Sequence, residues 1–218
     1  DFRHKERYYL LRVRKMISEL SKRISLFLCR KRIIDYNDIE IYKYGFETIC
    51  STLLGFIITI IIGTIFQMFS LSIIYYIMFV TIRQFTGGYH AKSYFKCNLT
   101  FSVVTMLVFS FTKIAVYTKM YMMLYHILFL VLSFMIVWYY IPVENENKPL
   151  DQEQKKKNRH IGIALTAAVS VVSCAIYPIS VQTSILMAFT QLSIAVLIVI
   201  THHEKGSEKD EEDEKYDT

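Results

Sequence analysis

Residues 161–200 read IGIALTAAVSVVSCAIYPISVQTSILMAFTQLSIAVLIVI, a run with no Asp, Glu, Lys or Arg that is interrupted only at Tyr177-Pro178. A helix needs about 20 apolar residues to cross a hydrocarbon layer, and this run holds two such lengths, Ile161 to Ile179 and Val181 to Ile200. The Tyr-Pro pair between them leaves room for a tight turn and nothing more. The stretch therefore reads as a hairpin of two membrane-spanning helices.

Four more apolar blocks precede it: Thr48 to Phe66, Leu71 to Ile82, Leu99 to Val116 and Met120 to Ile141. The chain is 53% hydrophobic, and these residues gather in blocks instead of alternating with polar ones, a pattern suited to a bilayer. The expected fold is an all-α integral membrane protein with about six transmembrane helices in three hairpins. The second block is short, so four crossings plus re-entrant segments is the alternative.

The formal charge of +6 hides a strong asymmetry, with 12 Lys or Arg in the first 46 residues and eight Asp or Glu in the last 15. Within the head, residues 10–28 place Leu10, Val13, Ile17, Leu20, Ile24 and Phe27 at spacings of three and four among basic residues. That is an amphipathic helix lying on a membrane surface. Its counter-charge is anionic membrane lipid; nucleic acid is not expected, because the head carries no reading motif and leads straight into an apolar block. Three regions follow: a basic N-terminal region (1–46), a transmembrane domain (47–203) and an acidic tail (204–218) expected to be disordered.

Lys and Arg near helix ends are retained on the cytoplasmic side. With the basic head inside, six crossings also put residues 83–98 and 142–160 inside, and these carry Arg83, Lys92, Lys96, Lys148, Lys155, Lys156, Lys157 and Arg159. The outer connections carry only Lys113 and Lys119. Both termini are expected in the cytoplasm.

The chemistry concentrates in residues 82–100, IRQFTGGYHAKSYFKCNLT. A neutral imidazole can take a thiol proton, and the thiolate is the nucleophile, so His90 and Cys97 are the candidate catalytic pair. Residues seven apart on a continuous helix lie about 10 Å apart along its axis, too far for proton transfer, so a working pair requires the chain to bend. Gly87 and Gly88 permit backbone conformations closed to other residues where such a turn is needed. The competing reading is an interfacial His and a small buried Cys without chemistry. Arg83 is either a substrate or oxyanion anchor or an ordinary topology signal. Lys155, Lys156 and Lys157, in a loop over 143–160, either attract an acidic peptide or mark the inner face.

Cys29, Cys50, Cys97 and Cys174 are scattered with no C-x-x-C pair, which points to neither a disulfide framework nor a zinc site. No metal or other cofactor is expected. His126, His160, His202 and His203 read as core or interfacial residues.

The amphipathic head, the DIEIYKYGFE entry to the first block, the R-x-x-x-G-G-x-H-A segment followed by Cys97, and the IPVENENKPL loop with its lysines together resemble the accessory gene regulator B (AgrB) family of quorum-sensing membrane endopeptidases. The resemblance covers essentially the whole chain before the acidic tail. It implies that Cys97 attacks a peptide bond C-terminal to the future signal in an AgrD-like precursor, with His90 as base. The precursor's own Cys or Ser would then close a thiolactone or lactone ring. Arg83 and Gly88 match positions the family needs, and a homodimer in the bacterial cell membrane is implied. A third residue orienting His90 is not evident; Gln84, Asn98 or a backbone carbonyl could serve. A peptide transporter, or a thiol acyltransferase acting on lipid, are the readings from other classes.

Overall fold

The computed structural model describes residues 18–87, 94–118, 123–143 and 151–216, with side chains described for all of these except 94–96 and 204–216. The described residues form α1 (18–30), α2 (Ile39–Ile65), α3 (Phe69–Thr86), α4 (Tyr94–Thr118), α5 (Met123–Tyr140), α6 (Gln152–Ile176) and α7 (Val181–Tyr216). Six of these, α2 to α7, are long and apolar enough to cross a membrane. The short second block therefore grows into a helix of 18 residues, about 27 Å long at the rise of an α-helix and so long enough to cross. A re-entrant segment is not needed to account for it.

The apolar blocks underestimate the helices at several ends. α6 starts at Gln152, so Lys155, Lys156 and Lys157 stand on a helix and not in the loop expected over 143–160. Asp151 explains the start, because its side chain accepts a hydrogen bond from the Gln152 N–H at 2.8 Å. Glu153 in the first turn complements the helix dipole, and the following Gln and Lys residues are strong helix formers. At the far end α7 runs on to Tyr216, through the acidic segment expected to be disordered. Adding a residue to an existing helix gains a hydrogen bond without a new nucleation cost.

The chain divides into two compact units. The first holds residues through Ile58 together with Ala91–Ser102. Here α1 buries Ser21 and Ser25, while Leu20 and Phe27 of its apolar stripe are 52% and 56% exposed. These two side chains are thus available to lipid, as an interfacial helix requires. Ser51 of α2 and Asn98 of α4 are joined by their side chains at 3.3 Å.

In the second unit, Thr59–His90 with Val103 onward, α7 is the central helix. Its span is 61% buried inside the protein, against 17% to 33% for the other spans. It packs against α3, α5 and α6 through fully buried residues such as Ile185, Leu186, Ala188, Ile194 and Ile198. Gln191 faces α6, where its amide Nε2 donates to Ser170 Oγ at 2.9 Å. Tyr75 of α3 accepts a hydrogen bond from Thr105 of α4 at 3.1 Å and packs edge-on to Phe109.

A second polar cluster joins three helices. Ser173 of α6 donates to the Ser184 carbonyl of α7 at 3.1 Å, and Ser184 donates back to the Ser173 carbonyl at 2.6 Å. With both hydroxyl protons committed, the His126 Nε2 of α5 acts as the donor to the two serine oxygens, at 3.2 and 3.1 Å. His126 is therefore a bonded core histidine, as its position inside the fourth block implies.

Contacts between helix ends agree with alternating up and down crossings. The start of α5, the end of α6 and the start of α7 meet at His126, Ser173 and Ser184. The end of α3 meets the start of α6 at the other end, where Thr86 and Phe85 approach Gly162. Lys113 near the end of α4 donates to the Phe66 carbonyl just past α2 at 3.2 Å. The hairpin turn expected at Tyr177-Pro178 is present, closed by the Ser180 N–H on the Ile176 carbonyl at 2.8 Å.

Replacing His126 with Ala removes a fully buried ring and a shared donor, so a loss of about 2–4 kcal/mol is expected. Leu124→Ala, at a site 71% exposed, should change stability by about 0.5 kcal/mol or less. Unfolding of the two purified variants in bicelles checks the contrast.

Candidate functional site

The segment expected to carry the chemistry begins at the last turns of α3. Phe79, Ile82 and Thr86 are buried, which fixes the inward face of this helix end. Arg83 is half-buried, with its guanidinium 5.7 Å from the centre of the Phe79 ring. An arginine over an aromatic face keeps its charge near the apolar boundary at reduced cost. Gln84 is exposed.

Gly87 ends the helix. Its N–H bonds the Arg83 carbonyl at 3.1 Å, and its backbone sits at φ 74°, ψ −160°. This region is essentially reserved for glycine. A second constraint acts at the same atom, because a Cβ on Gly87 would run into the Val143 carbonyl oxygen. Val143 also donates its N–H to the Thr86 carbonyl at 3.0 Å. Gly87 is thus fixed as glycine by dihedral angle and by the approach of a second backbone, a firmer role than the turn flexibility expected of it.

The segment that makes this approach, residues 141–143, follows α5, and the start of α6 backs it. Gly162 lies where an added Cβ would meet Ile141 Cδ1 at 3.0 Å and Thr86 Cγ2 at 3.3 Å. Gly162, Ile141 and Val143 were not singled out by the sequence reading. The available signal was a glycine early in an apolar helix, a common mark of close backbone packing in membranes.

Lys156 and Lys157 are exposed and Lys155 is half-buried on the first turns of α6. Gly162 lies seven residues beyond Lys155, about 10 Å along the helix. The basic cluster and the capped end of α3 therefore occupy the same end of this unit. Arg159 adds a hydrogen bond to the Trp138 carbonyl of α5 at 3.4 Å.

Cys97 lies in the first turn of α4, half-buried and outside any disulfide. Its neighbour Asn98 has its side chain engaged with Ser51, which occupies one of the groups considered for orienting His90. His90 and Gly88 lie outside the described residues. Among the described residues, no three His, Cys, Asp or Glu gather as metal ligands.

Gly87→Ala is expected to destabilise the protein by about 2 kcal/mol or more, since it combines a forbidden dihedral with a backbone collision. Thermal unfolding against Gly45→Ala, where an added Cβ meets nothing within 4 Å, measures the difference.

Comparison with known proteins places this arrangement in a family. A putative AgrB-like protein of Clostridium perfringens (strain SM101 / Type A) is 30% identical over 150 residues, covering 67% of this chain and 70% of the relative. A putative AgrB-like protein of Clostridium beijerinckii is 26% identical, over 85% of this chain and 91% of the relative. Accessory gene regulator protein B of Staphylococcus haemolyticus (strain JCSC1435) is 23% identical, over 84% of this chain and 95% of the relative. No solved structure matches. Residues 14–201 match the family described as accessory gene regulator B, and the chain belongs to that family.

Proposed function

We propose that this protein is a membrane-embedded cysteine endopeptidase that processes the precursor of a cyclic autoinducing peptide. Membership of the family implies a role in quorum-sensing autoinducer processing. The observation that supports the finer reading is the half-buried thiol of Cys97 in the first turn of α4, ten residues along the chain from a helix end that only glycine can form.

His90 removes the Cys97 proton, and the thiolate sulfur attacks the carbonyl carbon of the scissile amide. As the tetrahedral intermediate collapses, the C–N bond breaks and the imidazolium returns its proton to the departing amine. The N-terminal part of the precursor remains as a thioester on Cys97. A Cys or Ser of the precursor, giving its proton to the now neutral His90, then attacks that carbonyl, closing a thiolactone or lactone ring and releasing Cys97 as the thiolate beside the imidazolium. Exclusion of water protects the thioester from hydrolysis. Arg83 serves as an anchor for negative charge, either a substrate carboxylate or the developing oxyanion.

The membrane frame fits this chemistry. The basic head, the end of α3 and the lysine-bearing start of α6 belong on the cytoplasmic face of the bacterial membrane by the distribution of Lys and Arg. Lys155, Lys156 and Lys157 there attract the acidic C-terminal part of a precursor. A homodimer is the working assembly.

The deciding experiment incubates a precursor peptide with this protein in liposomes and follows the products by mass spectrometry. Cleavage and a precursor adduct on Cys97 are expected, with both lost in Cys97→Ala and His90→Ala. Equal processing by all three proteins would overturn the peptidase reading and leave a peptide transporter in its place. Linear hydrolysed peptide as the major product would refute water exclusion but keep the peptidase.

A further inference from the structure

The last turn of α5 is followed by a proline. In a continuing helix the Trp138 carbonyl would accept the N–H of residue 142, but Pro142 has none. Arg159 of α6 takes that place, its Nη2 donating to the Trp138 carbonyl at 3.4 Å. A cation is favoured at a helix C-terminus, so the guanidinium is held at the junction of α5 and α6. The bond uses one of five N–H donors, and Arg159 is exposed, which leaves its planar fork open to an anion.

The neighbours say which anion fits. On α6, Lys155 and Lys156 lie one turn before Arg159, and residues 151–160 hold four cations against the carboxylates of Asp151 and Glu153. Asp151 is engaged as the N-cap, on the Gln152 N–H. On α5 the exposed side chains are apolar. Val131, Met135 and Trp138, at spacings of four and three, form an exposed stripe along one face that ends at Trp138. Because α5 is long and apolar enough to cross a membrane, such a stripe faces acyl chains, and a Trp at its end sits at headgroup level. The junction therefore offers cations at one end and a hydrocarbon-facing track at the other. A soluble acidic peptide would match the cations alone, whereas a phospholipid matches both.

We propose that Arg159 and Lys156 of α6, with the stripe of α5 that ends at Trp138, bind one anionic phospholipid. The guanidinium grips two phosphodiester oxygens, Lys156 adds charge, and an acyl chain lies along Met135 and Val131. This site is built from the second unit alone and does not depend on the peptidase reading. It differs from the attraction of lipid to the basic head, which is spread over many charges, in holding a single lipid by defined donors.

The test is native mass spectrometry of the intact protein in detergent, titrated with dioleoylphosphatidylglycerol or dioleoylphosphatidylcholine. One phosphatidylglycerol should be retained about tenfold more tightly than phosphatidylcholine. Arg159→Gln keeps an amide donor for the Trp138 carbonyl but removes the charge, and should weaken that first lipid about tenfold. Trp138→Leu leaves the carbonyl in place and should weaken it by a smaller factor. Lys22→Gln, at an exposed position of α1, removes the same charge elsewhere and should leave it unchanged.

Equal retention of the two lipids overturns the proposal, as does unmoved binding in folded Arg159→Gln or Trp138→Leu. An equal loss in Lys22→Gln also overturns it, in favour of diffuse attraction to net charge. Displacement of the lipid by equimolar glycerol 3-phosphate or oligoglutamate would assign the cations to a free phosphate or an acidic peptide instead. Should Arg159→Gln fail to fold, Lys156→Gln, on an exposed side chain, takes its place, and unmoved binding there overturns the proposal as well.

Discussion

Hydrocarbon offers no hydrogen-bond partner, so every polar group of a chain that enters it must be satisfied from within the protein. For the backbone the solution is six apolar helices, α2 to α7. For the side chains it is a small number of contacts between helices. Gln191 meets Ser170, and the reciprocal pair Ser173 and Ser184 meets His126. Because lipid tails are as apolar as Leu or Ile, exposure to lipid does little to choose between helix arrangements, and close packing with such polar contacts does more. The burial of α7 among α3, α5 and α6 fits this, since α7 buries Ser184, Thr190, Gln191 and Thr201, and α6 beside it buries Thr166 and Ser173.

The two ends of the second unit are fastened by different means. At the turn between α6 and α7, side chains from three helices share hydrogen bonds around His126. At the opposite end the fastening is between backbones, where Val143 crosses the last carbonyl of α3 and leaves no room for a side chain at Gly87. Backbone contacts define direction more firmly than contacts between flexible side chains. The same end carries the basic first turns of α6, so positive charge and a fixed chain exit coincide.

Much of this was legible from residue order. The charge-free run over 161–200 implies a helical hairpin, and Tyr177-Pro178 implies its turn, because both readings depend on local composition and bilayer thickness. The segment from Arg83 to Cys97 stood out as a candidate because Gly-Gly, His, Cys and cations crowd one apolar boundary, and of its glycines the structure gives Gly87 a fixed place. Helix ends were less legible. Polar residues such as Gln152 to Arg159 interrupt the apolar pattern without interrupting the helix, which continues while its N-cap and backbone hydrogen bonds hold.

By itself, the sequence determined that the protein is all-helical, with six segments long and apolar enough to cross a membrane, and roughly where those segments lie. Those properties follow from apolar length, charge and residue chemistry, all local quantities. Only the tertiary structure decided that α7 is the central helix, that His126 serves as a donor between two serines, and that Gly162 and Val143 hold the end of α3. The physical reason is that each depends on which surfaces meet across long sequence separations. In lipid that choice rests on small residues and a few hydrogen bonds, which leave no period in the sequence.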